Sequence, residues 1–310
     1  MFTSKCLTFF YAITPVHMGA GQALGVIDNP IQRERHTEHP CFAGSGIKGA
    51  FRHAARQRWA NEEGLLVRIF GPEQDASEHA GAVSFSDGQL VAFPVRSLRG
   101  VYVYATSPLA LQRLARLAAV AEVDIPHFTP PDLKDDQAVV LNPELLAKGR
   151  DGNRLVLESY AFQPVQEGAE DLKAVAEWLS RNALPSSDGQ DFFRKKLAED
   201  LVLLSDTQFT FFARNATVVE PHVRINDESG TADDGGLFFT ENLPPEAVMV
   251  GLTMVSDERL KKGENRADRL SAEKVLARVR EAFHGHCVQI GGDATTGRGQ
   301  VLVSFRGGKA

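Results

Sequence analysis

The chain has 310 residues, 43% hydrophobic and 24% charged, with a formal net charge of −6. That length supports one elaborated domain or two around a sizeable core, and the acidic balance excludes a protein that coats nucleic acid through overall charge, though not one with a local basic groove. Cys6, Cys41 and Cys287 match no zinc spacing and suit a reducing compartment; no secretory leader opens the chain and no apolar run approaches the roughly 18 residues that cross a membrane, so the expectation is a cytoplasmic protein with no membrane partner.

Residues 7–13 (LTFFYAI) are aromatic and β-branched and predict a strand. Residues 18–39, rich in glycine and charge, read as a long loop. Ser45 is the expected N-cap of a helix running to about Ala60. Residues 82–85 and 90–93 read as short strands around the turn Ser86-Asp87-Gly88, and 101–105 as another. Residues 108–120 predict a helix with Pro108 in its first turn. The proline-rich, acidic stretch 124–136 reads as an insertion, and 154–157 as a short strand after Asp151-Gly152-Asn153. Helices are expected over 171–180 and 190–204, and a strand over 208–213. Residues 218–239 fit a protruding hairpin containing Asp227-Glu228-Ser229-Gly230 and Asp233-Asp234-Gly235-Gly236. Strands at 247–254 and 301–305 flank a helix at 272–283. The order strand, helix, two strands, helix, strand indicates an α+β fold built on a ferredoxin-like unit, the remaining pieces being insertions.

Two phrases near the start carry chemistry. Thr14-Pro15-Val16-His17-Met18-Gly19-Ala20-Gly21 sets a histidine among glycines, with Asp28 shortly after. Gly44-Ser45-Gly46-Ile47-Lys48-Gly49 sets glycines, a serine and a lysine at a helix start, a phosphate-binding arrangement. Together they suggest a protein that holds a phosphate backbone and cuts it. Lys48, Arg52 and Arg56 recur at i, i+4 and i+8 and share one helix face. With free helix amides they can neutralise phosphates of a single strand; a solvated helix face explains the same spacing equally well. Arg33, Arg35, Arg96 and Arg99 add loop charge and tip the balance toward RNA. Phe51 or Phe42 can stack a base, although such rings more often pack in a core.

Asp28 lies between a flexible glycine and a rigid proline. It can accept a proton from a ribose 2′-hydroxyl or hold a hydrated Mg²⁺; alone, a turn aspartate bonding its own backbone is the commoner use. His17 can position a phosphate or act as acid or base, though a histidine after a strand is more often structural. Glu241 is a third candidate with a weaker case, a solvated loop glutamate being its commoner reading. His284 and His286 lack a third metal ligand and read as surface histidines. The loop 291–299 (GGDATTGRG) matches neither a P-loop nor a dinucleotide fingerprint. It is either a plain connection or a place where RNA backbone comes close, with Arg298 as its RNA-binding candidate.

The phrases TPVHMGAG, GVIDNPIQRERHTEHP, GSGIKGAFR, LVAFPVRSLRGVYVYATSP, FFARNATVVEPHVRINDESGTADDGGLFFTENLPPE and IGGDATTGRG run in order from Thr14 to Gly299. In combination they resemble the RAMP-superfamily backbone proteins of CRISPR effectors, specifically the family of the fourth subunit of the type III-B (Cmr) complex. Asn29 stands where that family usually has leucine, and Gly46 where a second serine is usual. The resemblance implies one elaborated RRM-like palm over residues 1–310 with a β-hairpin thumb within 215–237. It implies copies stacked as a helical filament along a CRISPR guide RNA, beside other Cmr subunits.

It also implies a metal-dependent endoribonuclease, using Mg²⁺ or Mn²⁺, that cuts complementary target RNA at regular intervals where the thumb displaces a nucleotide. Cleavage resembles attack by the 2′-hydroxyl, leaving a cyclic phosphate and a 5′-hydroxyl. An unstacked ribose reaches the in-line geometry that a regular A-form helix denies. Asp28 matches the family's catalytic aspartate and is the candidate metal ligand. His17 matches a histidine near that site, and Lys48 the lysine beside the guide backbone. Glu241 completes the catalytic candidates; Ser45, Gly44, Arg52, Arg56 and Arg298 complete the RNA-binding set. The alternatives are a non-catalytic RNA-binding scaffold with the same filament role, and the type III-A counterpart. The IDNPIQRE and LPPE phrases favour III-B.

Overall fold

The computed structural model describes residues 2–62, 64–73, 79–150, 152–187, 189–260 and 266–308. In chain order, β1 (Ser4–Ala12) and β2 (Cys41–Phe42) precede α1 (Gly44–Arg58) and α2 (Leu65–Phe70). Then come β3 (Val83–Phe85), β4 (Gly88–Arg96), β5 (Tyr102–Thr106) and α3 (Pro108–Val120). β6 (Gln137–Val140), β7 (Leu146–Gly149), β8 (Gly152–Leu157) and β9 (Tyr160–Val165) lead to α4 (Ala169–Asn182) and α5 (Asp191–Glu199). β10 (Leu201–Leu204), α6 (Asp206–Asn215), β11 (Val218–Ile225), β12 (Ala232–Asn242), β13 (Val248–Val255), α7 (Ala272–Phe283), β14 (Cys287–Gln289) and β15 (Gln300–Arg306) complete the chain.

At the centre, β15, β1, β13 and β4 lie side by side in that order, every neighbouring pair antiparallel. With α1 following β1 and α7 joining β13 to β15, this is the expected ferredoxin-like unit of an α+β fold. Its halves are separated by residues 97–247, whose strands β5, β10, β6, β9, β8 and β7 extend the same sheet outward from β4. The stretch 124–136 carries no helix or strand.

β1 shows no alternation in its sequence because both of its faces are covered. Cys6, Phe10 and Ala12 enter one core with Phe42, Phe51, Phe283 and Phe305. Leu7, Phe9 and Tyr11 enter a second, formed with Leu111 and Leu114 of α3 and Leu172 and Val175 of α4. A strand buried on both faces reads as a continuous apolar run. Phe51 and Phe42 are core residues, 0% and 1% exposed, so neither is available to stack a base.

Several local expectations are corrected. Residues 190–204 are not one helix: α5 ends at Glu199, and Leu201–Leu204 is a fully buried strand, parallel to β5 and antiparallel to β6. Residues 208–213 are not a strand but part of α6. Ser205 Oγ caps that helix by accepting the Gln208 N–H at 3.2 Å, and Phe209 and Phe212, three residues apart, share its buried face. Cap and spacing overrule the β-rich composition of TQFTFF. The segment Ser86-Asp87-Gly88 does not close a hairpin, since β3 and β4 each pair with β13, one beyond the other. Asp87 Oδ1 instead accepts the Gly44 N–H at 2.7 Å. Ala43 is therefore the N-cap of α1, and Ser45 is exposed within its first turn.

β11 and β12 form a separate two-stranded ribbon. Its turn lies between Asn226 and Thr231, where the Asn226 N–H donates to Thr231 O at 2.8 Å. Gly235 (φ 70) lies inside β12, at a register shift opposite Val223 and Ile225. β12 continues to Asn242, past residue 237. Among the described residues no helix is long and apolar enough to cross a membrane, and Cys6, Cys41 and Cys287 are unpaired.

Candidate active site

One edge of β12 is taken by β11; segments from the first loop align along the other. Val16 and Leu243 exchange two N–H···O bonds of 2.9 Å. The Asn29 N–H donates to Phe239 O, and the Glu241 N–H donates to Asn29 O, both at 3.0 Å. Two side chains complete this edge. The Phe239 N–H donates to Asp28 Oδ2 at 2.8 Å, and His17 Nδ1 donates to Glu241 O at 2.7 Å. Residues two apart on one strand are separated by about 7 Å, so Asp28 and His17 are neighbours at the base of the hairpin.

A carbonyl only accepts, so His17 Nδ1 carries the proton, and Nε2 of the neutral ring is left as an acceptor. Gly19 makes room for the ring, since a Cβ there would lie 2.8 Å from Nε2. Behind it, the Gly292 N–H donates to His17 O at 2.8 Å. Gly291 has φ 84, and a Cβ there would lie 2.4 Å from the same oxygen. The Gly299 N–H donates to Pro15 O at 2.8 Å. The glycine-rich phrase 291–299 thus serves close approach of the chain to the His17 segment.

Glu241 is not solvated; its side chain is 4% exposed. Oε1 accepts from Arg33 Nη2 and from Thr217 Oγ1, the latter at 2.8 Å, and Oε2 accepts the Ile31 N–H at 3.0 Å. Arg33 also donates to Ala213 O and Arg214 O, at 3.0 and 3.2 Å, in the last turn of α6, where a cation is favoured. The pair therefore ties the loop, α6 and the hairpin together. Arg33 entered the sequence-based set only as loop charge and Thr217 not at all, because their meeting point exists only in three dimensions.

Asp28 is the contrast. It is half-buried, and among the described residues its Oδ1 has no hydrogen-bond partner. Among the described residues no three His, Cys, Asp or Glu side chains are grouped to hold a metal. Asp28 alone fits a hydrated Mg²⁺, which typically takes only one or two carboxylates from a protein. His284 is occupied elsewhere, its Nδ1 accepting the Phe305 N–H at 3.1 Å.

The basic helix face is divided. Arg52 donates to Gly71 O at 2.5 Å and lies 3.5 Å from Glu73, which also pairs with Arg56. Lys48 is half-buried with no ion pair among the described residues. Burial lowers its pKa, and the nearby Arg52 and Arg259 lower it further. An unpaired cation beside like charges gains from an incoming anion. Gly44 is buried, and a Cβ there would lie 2.5 Å from Phe85 O. Arg298, 9% exposed at its side chain, is turned to Glu220 of β11, with Asp293 at 4.0 Å.

The sequence profile of the RAMP superfamily matches residues 9–302. The chain is 32% identical over 306 residues to the CRISPR system Cmr endoribonuclease Cmr4 of Pyrococcus furiosus, covering 97% of this chain and 95% of that protein. It aligns with the crystal structure of oligomeric Cmr4 from Pyrococcus furiosus at a TM-score of 0.73 and 26% identity, covering 98% of each chain. A chain in the cryo-EM structure of the type III-B Cmr-beta bound to cognate target RNA shares the fold, with a TM-score of 0.71, 17% identity and 98% of each chain covered. The protein accordingly belongs to the RAMP superfamily and, within it, to the Cmr4 family.

Proposed function

We propose that the chain is the guide-RNA-binding backbone subunit of a type III-B CRISPR ribonucleoprotein and that it cleaves complementary target RNA at regular intervals. The observation that carries this is the mounting of Asp28 and His17 on the edge of β12 opposite β11, at the base of the thumb hairpin. A nuclease that acts where its thumb displaces a nucleotide needs its reactive groups at that base. The relative named an endoribonuclease, and the oligomeric crystal structure of its kind, support the activity and self-association into a filament beside other Cmr subunits. Three unpaired cysteines fit work in the cytoplasm.

In the proposed reaction the 2′-hydroxyl of the displaced ribose attacks the adjacent phosphate. The bond from phosphorus to the 5′-oxygen breaks, and that oxygen takes a proton from solvent water, leaving a 2′,3′-cyclic phosphate and a 5′-hydroxyl. His17 Nε2 accepts the proton of the attacking hydroxyl. Asp28, pinned through Oδ2, has Oδ1 left to hold a hydrated Mg²⁺ or Mn²⁺, which when bound would stabilise charge on phosphoryl oxygens. Glu241 is a positioning residue in this account, acting through Arg33, Thr217 and Ile31. Lys48, with Ser45 exposed beside it, contacts the guide backbone. Arg52 and Arg56 add field from their pairs with Glu73, while the buried Gly44 and Arg298 act only by supporting the backbone beneath that surface.

Reconstitution with guide RNA, complementary target and Mg²⁺ tests this through the product ends. Regularly spaced cuts with cyclic phosphate and 5′-hydroxyl ends are expected. Products with 5′-phosphate ends contradict the proposed attack.

A further inference from the structure

Beside the thumb's base lies a cavity of about 380 Å³ that no step above uses. Its floor is aromatic. Tyr160 of β9 and Phe211 of α6 meet edge to face, with centroids 5.2 Å apart and planes at 75°. Phe212, 1% exposed, contacts both rings, at 6.0 and 5.5 Å, and so holds them from the core. Tyr160 is nevertheless 45% exposed and Phe211 36%. Two rings held rigid by a buried third, yet open to water, are arranged for a flat apolar partner.

The rim is polar. Asn215 Nδ2 donates to Phe211 O at 2.8 Å, which leaves its Oδ1 as an acceptor. Glu158 lines it too, its carboxylate 3.3 Å from the guanidinium of Arg96. Thr217 connects the cavity wall to the reactive groups: its Oγ1 donates to Glu241 Oε1 at 2.8 Å, and Glu241 O accepts from His17 Nδ1 at 2.7 Å. The cavity is thus two hydrogen bonds from the histidine.

We infer that this cavity receives an unpaired nucleobase, that of the target nucleotide the thumb displaces. The inference rests on the function proposed above and names where the displaced base goes. Stacking on an aromatic ring suits every base, because every base has a π-face. A guide-directed nuclease requires that tolerance, since any base can fall at the displaced position. Asn215 Oδ1 offers an acceptor for an exocyclic amine. A parked base holds its ribose out of the A-form stack beside His17, which favours in-line attack.

The test uses the assembled complex with target RNA carrying 2-aminopurine, walked one position at a time through one repeat. This base fluoresces when unstacked and is quenched on an aromatic ring. Wild type is compared with Tyr160→Leu, Phe211→Leu, the double variant and Tyr160→Phe. One position is expected to be quenched in wild type and Tyr160→Phe and to brighten in the Leu variants, while cleavage falls about tenfold in the double variant, as loss of one stacked base allows. If no position brightens in any Leu variant, the inference is overturned. Should the double variant not assemble, Tyr160→Leu alone decides, since that ring is half exposed. Fluorescence reads the cavity whether or not RNA is cut: quenching without cutting contradicts the nuclease reading alone, and cutting without a change in quenching contradicts the cavity alone.

Discussion

Asp28 and His17 are held by one strand edge, Asp28 through the N–H of Phe239 and His17 through the carbonyl of Glu241. Their spacing is therefore set by the pitch of β12 rather than by the loop that carries them. The same strand forms half of the β11–β12 hairpin, so in the proposed function a movement of that hairpin against RNA carries both groups with it. Placing reactive side chains on a regular element in this way is what pre-organisation requires.

Removing the ring should show this directly. His17→Ala is expected to slow cleavage by about 10²–10⁴-fold, the range for a lost acid–base group, with target affinity unchanged. Single-turnover cleavage and filter binding on the same complex separate the two.

The glycine behind the ring gives a second expectation. At Gly291 a side chain meets both a φ of 84 and a Cβ position 2.4 Å from His17 O. Gly291→Ala should cost about 1–3 kcal/mol through strain and slow cleavage as His17 shifts. Gly297, φ 82 with nothing within 4 Å of a Cβ, is the control. Gly297→Ala should cost about 1–2 kcal/mol and leave cleavage intact. Thermal melts and cleavage rates of the two variants check this.

These features were unequally legible in the sequence. α3 could be read to its ends because Ser107 and Pro108 open it and its apolar residues keep helical spacing. α7 was as plain, with Ser271 as its cap. β10 was not: four buried apolar residues directly after a helix carry no periodicity that separates strand from helix. Ser45 looked like a cap, but a carboxylate from residue 87 does that work, and no local pattern reveals an acceptor so far along the chain. Asp28, His17 and Lys48 stood out through their phrases. The edge that unites Asp28 with His17 did not, because it joins segments more than 200 residues apart. For the same reason Glu241 read as a loop glutamate, although Arg33 and Thr217 hold it in the interior.

Charge on α1 divides by partner. Lys48→Ala should weaken guide binding uniformly across guide sequences and lower the slope of log K against log salt by about 1. Arg56→Ala should change the slope less, because its guanidinium is already engaged by Glu73. Salt titrations of guide binding to the two variants distinguish them.

Stability should depend on pH through His39. The ring is buried edge-on to Phe209, with centroids 5.1 Å apart, and its Nε2 is bonded to Thr210 Oγ1 at 3.0 Å. Burial pushes its pKa down from 6.5 to about 4. Between those values the unfolded chain binds a proton that the folded chain does not, so this contribution is complete above pH 6.5 and is lost as pH falls toward 4. The loss is about 3 kcal/mol by linkage. Urea unfolding at pH 7 and pH 4.5 should show a larger drop for wild type than for His39→Gln.

The most direct test concerns Asp28 itself. Asp28→Asn keeps the size of the side chain and an acceptor for the Phe239 N–H but removes the charge. In the complex reconstituted with guide RNA, complementary target and Mg²⁺, the account predicts that target still binds as in wild type and that the regularly spaced cuts disappear. Cuts that persist at the wild-type rate would contradict it, moving the chemistry to another residue or subunit and leaving this chain as an RNA-binding scaffold.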